Sequence, residues 1–213
     1  MYLYGSDLWN NAAKNEALAN YYWAPLEFRE DGSIKPMACK DTVRVVLAAG
    51  SKGSRLNPSK LDSESGIYGF MRFYDIGDQV QRSQSFVANR TGTLIEASVT
   101  TFKTGYPNAG LTVELYKSGI NGEPLGPMLS SITVPATEIG WSPRQLKVSP
   151  KIPVTKGKSY CLVLKSTATQ GKYGFTYSDE LPYKNGIATL SNDAGKQFRA
   201  EAGRTLKFYT RVD

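Results

Sequence analysis

The second two-thirds of the chain repeats one pattern: a short run of β-branched and aromatic residues, then a turn signal. The runs fall at 80–87, 93–102, 111–116, 128–134, 145–148, 160–165, 173–177, 187–190 and 206–212. Between them stand Asn89-Arg90-Thr91-Gly92, Pro107-Asn108-Ala109-Gly110, Asn121-Gly122, Lys156-Gly157, Asn185-Gly186 and Ala194-Gly195. Strands at this spacing, with no convincing helix, predict an all-β fold of two packed sheets, a β-sandwich of the jelly-roll kind. Alternation is clearest in Leu111-Thr112-Val113-Glu114-Leu115, whose apolar residues share one face.

The stretch 47–66, LAAGSKGSRLNPSKLDSESG, is rich in Gly, Ser, Lys and Asp and reads as a linker. It divides the chain into a short piece, 1–46, and the sandwich, 67–213. The short piece opens with a strand-like run over 2–9 and has helix-forming residues over 10–20. An aromatic run over 21–28 follows, ending at the turn Glu30-Asp31-Gly32-Ser33, and one or two further strands are expected over 34–47. It is too short to build a sandwich of its own.

Composition removes several chemistries. The 213 residues contain no histidine, which excludes Ser-His-Asp and Cys-His catalysis and any His-ligated metal. Two cysteines, Cys39 and Cys161, are too few for a four-thiolate zinc site; they form one bridge or remain two thiols. Residues 1–66 balance eight basic against eight acidic side chains, so the whole net charge of +7 lies in 67–213. The Lys and Arg are dispersed singly, the pattern of a solvated basic surface, and no nucleic acid partner is expected. No stretch approaches the ~20 apolar residues of a membrane span, and Met1-Tyr2-Leu3-Tyr4-Gly5 has no export-signal pattern.

Two stretches resemble known families. Tyr4-Gly5-Ser6-Asp7-Leu8-Trp9-Asn10, followed by Asn15-Glu16-Ala17-Leu18-Ala19-Asn20-Tyr21-Tyr22-Trp23-Ala24-Pro25-Leu26-Glu27-Phe28, resembles the close of a glycoside hydrolase family 43 catalytic domain. That domain is a β-propeller acting on arabinose- and xylose-containing glycans. The second stretch runs from Gln84-Ser85-Phe86 through Leu111–Tyr116 and Gly122-Glu123-Pro124-Leu125-Gly126 to 153–164. It resembles the jelly-roll accessory modules of secreted polysaccharide-degrading enzymes. The family 43 acid, base and pKa-modulating carboxylates come from earlier blades, and a propeller cannot fit into 46 residues. Asp7, Glu16 and Glu27 form no such set. The resemblance therefore implies a module that is not an enzyme by itself. Its expected partners are a polysaccharide or oligosaccharide and the catalytic domain of a secreted, extracellular or periplasmic parent.

A sugar-binding sandwich needs aromatic faces with polar groups beside them. Tyr173, Phe175 and Tyr177 share one face of a strand, either as a sugar platform or as a strip beneath the opposite sheet. Tyr106, Trp141 and Tyr183 stand in polar loops, where a large ring is a ligand contact or a lid on the core edge. Asp75 and Asp78 are candidate ligands of a structural calcium; no other cofactor is expected. Asn89-Arg90-Thr91 fits a glycosylation sequon but also reads as a plain turn.

Overall fold

The computed structural model describes residues 2–8, 20–36, 60–65, 71–179 and 183–213. It divides into two compact units, Met1–Gly53 and Ser54–Asp213. In the first, β1 (Tyr2–Leu8) pairs antiparallel with β2 (Asn20–Leu26), from Tyr2 opposite Leu26 to Leu8 opposite Asn20. Phe28 then bridges Ile34 across the expected turn. Gly32 has φ 82° there, and Asp31 accepts the Ser33 N–H at 2.9 Å. The helical turns expected over 10–20 lie almost wholly outside the described residues, as do Cys39 and most of the strands expected over 34–47.

The second unit is a β-sandwich of two antiparallel sheets. One contains β3 (Leu61–Glu64), β4 (Met71–Ile76), β6 (Gly92–Thr104), β9 (Arg144–Val148), β10 (Ile152–Val154), β12 (Lys172–Ser178), β15 (Thr205–Leu206) and β16 (Phe208–Val212). The other contains β5 (Gln81–Val87), β7 (Leu111–Ser118), β8 (Pro124–Val134), β11 (Ser159–Lys165), β13 (Ala188–Ser191) and β14 (Arg199–Ala200). The chain crosses between the sheets repeatedly, β5 to β6 to β7 and β11 to β12 to β13. Phe86, Leu94, Leu111, Leu115, Leu162, Leu164, Phe175 and Phe208 fill the space between them. Phe86 and Phe208 meet across the sheets with ring centroids 6.1 Å apart.

The span expected to be a linker needs correction, because Leu61–Glu64 inside it forms β3 and pairs with β16. Asp62 and Ser63 are buried and tie the strand down through Asn89. The Asn89 N–H donates to Asp62 Oδ1 at 3.1 Å, and Asn89 Nδ2 donates to the Asp62 carbonyl at 2.5 Å. Asn89 thus acts as a turn residue whose amide nitrogen is already engaged.

The sheets are also joined by charge. Arg82 of β5 is 3% exposed, and its guanidinium donates to Asp75 of β4 at 2.5 Å and to Glu201. It lies 5.0 Å from the Phe175 ring centroid. Burial alone would lower the Arg82 pKa, but the hydrogen bonds it donates to Asp75 and Glu201, with their negative charge, outweigh it and hold the group above its ordinary value. Arg204 extends the network to Glu201 and Asp179. Arg82→Ala leaves Asp75 without its cation and Glu201 with Arg204 alone, and is expected to cost about 3–5 kcal/mol in urea unfolding. Lys172→Ala, which breaks only the half-exposed 3.7 Å pair with Asp78, is expected to cost under about 1 kcal/mol.

Candidate functional site

Tyr173, Phe175 and Tyr177 are 0%, 1% and 7% exposed and face the core, so the sugar platform is corrected to a core strip. Tyr173 donates its hydroxyl to the Ala109 carbonyl at 2.6 Å, and Tyr177 carries the Arg204 guanidinium 4.2 Å from its ring centroid. Tyr183 is half-buried, with its ring edge-on to Phe208 at 5.2 Å, and belongs to the core margin. Asp75 is taken by Arg82 and Asp78 faces Lys172, so a calcium ion there would have to displace a cation from each. No group of three or more metal-ligating side chains occurs among the described residues.

The two remaining candidates come together. Tyr106, in the loop after β6, is 77% exposed, and Trp141, in the loop before β9, is 52% exposed. Their rings meet edge-to-face, 4.9 Å between centroids and 75° between planes. Together the two exposed rings present an apolar surface to solvent.

The loops beneath the pair are tightly held. Asn108 Oδ1 accepts the N–H groups of Thr169 and Gln170 at 3.1 and 3.3 Å, while Asn108 Nδ2 donates to Thr169 Oγ1 at 3.0 Å. Gly171, at φ 67°, lets this neighbouring loop approach so closely that a Cβ there would lie 2.4 Å from the Pro107 nitrogen. Tyr106 itself sits at φ 56°, a left-handed conformation that costs a side-chain-bearing residue roughly 1–2 kcal/mol. The Lys103 N–H donates to the Gly140 carbonyl at 2.9 Å and so stitches β6 to the residue before Trp141. The surface is therefore pre-organised, which lowers the entropy cost of binding.

A cleft of about 260 Å³ lies over the outer face of the second sheet, between Gln81, Glu114, Tyr116, Lys165, Gly195 and Phe198. Glu114 is buried there, paired with Lys165 at 2.7 Å and accepting the Tyr116 hydroxyl at 2.8 Å. Its own residues satisfy the carboxylate. The alternation of β7 already directs Glu114 away from the core, but the loops that form the cleft leave no local signal in sequence.

No protein family description and no curated protein matches the chain. Among solved structures, it is similar to a glycoside hydrolase family 43 arabinoxylan arabinofuranohydrolase from Bacillus subtilis, determined in complex with cellotetraose. The identity is 13% and the TM-score 0.34, over 76% of this chain and 34% of that one. The chain thus spans about a third of that protein's length, and a likeness this slight assigns neither family nor activity.

Three phenols carry a pH signature. Burial pushes Tyr116, Tyr173 and Tyr209 up to about 12. Glu114 adds to the shift at Tyr116, and Glu96, which accepts the Tyr209 hydroxyl at 2.7 Å, adds to it at Tyr209. In the unfolded chain each ionises near 10. Between these values the folded state holds more protons, so stability is expected to fall as pH rises from about 10 to about 12. Tyrosinate difference absorbance followed alongside circular dichroism checks this. Phenylalanine at all three positions should flatten the decline.

Proposed function

We propose that the Ser54–Asp213 sandwich is a non-catalytic carbohydrate-binding module of a secreted glycoside hydrolase that degrades plant polysaccharides of the xylan or arabinan type. The observation that supports the reading best is the exposed, pre-organised Tyr106–Trp141 pair. Aromatic faces stack on the C–H surfaces of sugar rings, and polar groups of the surrounding loops fix hydroxyls. The sequence resemblance to hydrolase accessory modules points the same way.

In this reading the module works by proximity. Weak stacking contacts keep a tethered catalytic domain near its polymer and raise its effective concentration without any chemistry in the sandwich. The parent is extracellular or periplasmic, where such polymers are met. A second reading is a purely structural sandwich packed on a catalytic propeller. It is favoured by the burial of Tyr173, Phe175 and Tyr177, which removes the broadest aromatic surface from solvent.

Affinity electrophoresis of the whole chain in gels containing xylan, arabinan or arabinoxylan separates the two. Retardation is expected in at least one gel, and Tyr106→Ala or Trp141→Ala should each weaken it about tenfold. No retardation in any gel would leave the structural reading. Full retardation of both variants would move the site away from these rings. A reducing-sugar assay on the same polymers should register no release.

A further inference from the structure

The aromatic pair has cations beside it. Lys103 Nζ lies 5.1 Å from the Trp141 ring centroid and donates to the Ala136 carbonyl at 2.5 Å. An ammonium has three N–H donors, so two remain for a ligand. Arg144, the first residue of β9, lays its guanidinium against Gly140: a Cβ on that glycine would lie 2.6 Å from Nε and 2.8 Å from Cζ and Nη2. The Arg144 side chain is exposed and makes no hydrogen bond among the described residues. Among those residues no carboxylate lies within 4.0 Å of either cation, so neither charge is neutralised by the loops around it, unlike that of Arg82. Glu138, exposed in the same loop, is ion-paired to neither.

The two cations stand beside neighbouring residues of one loop, Lys103 at the Trp141 ring and Arg144 at Gly140, and an anion between them would be attracted to both. A neutral glycan asks only for hydroxyl partners, which amides and carboxylates supply equally well. A planar guanidinium is instead shaped to grip a carboxylate through two parallel hydrogen bonds, and an adjacent ammonium adds charge to the same grip. The basic surplus of 67–213 also favours approach of a polyanion over long range.

Resting on the carbohydrate-binding reading, we infer that the ligand of the Tyr106–Trp141 site is an acidic glycan. A sugar ring would lie on the aromatic pair while the carboxylate of a uronic acid is held by Lys103 and Arg144. The test uses the whole chain in affinity gels containing glucuronoxylan, the same polymer with its carboxyl groups reduced to hydroxymethyl, or arabinan. Native glucuronoxylan should bind at least about tenfold more tightly than its reduced form. That preference should shrink with added salt, and it should largely vanish in Arg144→Gln and in Lys103→Gln. Circular dichroism melting reports whether each variant is folded, and Arg144→Gln removes no observed side-chain hydrogen bond or ion pair. Equal binding of the native and reduced polymers would overturn the acidic preference while leaving glycan binding intact. No binding to any of the three would overturn both. A preference kept by both folded variants would overturn the assignment to these cations.

Discussion

Every second residue of a strand points away from the sandwich core, and here the outer face of the central strands is covered as well. Ser83 and Ser85 of β5, Cys161 and Val163 of β11, and Thr189 and Ser191 of β13 all alternate with core residues, yet each is at most 4% exposed. The loop at Gly122 abuts Ile187 and Thr189, and Gly195 abuts Gln81. Ser85 and Ile187 exchange hydrogen bonds at 2.7 and 3.2 Å. Such a roof admits only small or well-partnered side chains. Broad aromatic platforms are thereby excluded from the middle of this sheet, and large exposed rings are displaced to loops and edges.

The same constraint explains what the sequence made legible. Long strands with strong alternation, such as β7 and β11, are recognisable because one face is uniformly apolar. β3 is not, since Leu-Asp-Ser-Glu looks like linker and is held by hydrogen bonds to Asn89 rather than by apolar burial. β10 carries Pro153, which argues against a strand unless the residue lies at an edge. β4 is largely exposed and so has no periodic signature.

For the site, spacing established that Tyr173, Phe175 and Tyr177 share a face but could not say which side of the sheet that face is on. The opposing sheet decides it. Tyr106 and Trp141 were visible as large rings in polar loops. Their meeting depends on β6 pairing with β9, a long-range register that local composition does not encode. Lys103 and Arg144 carried no signal at all, because a solitary basic residue near a strand end is ordinary until the fold sets it beside Trp141 or its loop.

The backbone of Tyr106 has a consequence for how such a sequence can drift. At φ 56° glycine would relieve the strain, at the cost of the edge-to-face contact between the exposed Tyr106 and Trp141 rings. A sequence tuned for thermal endurance alone would therefore lose this tyrosine early. The exposed ring and the comfort of the backbone beneath it pull in opposite directions. The residue that makes the loop useful is also one the scaffold would hold more easily without.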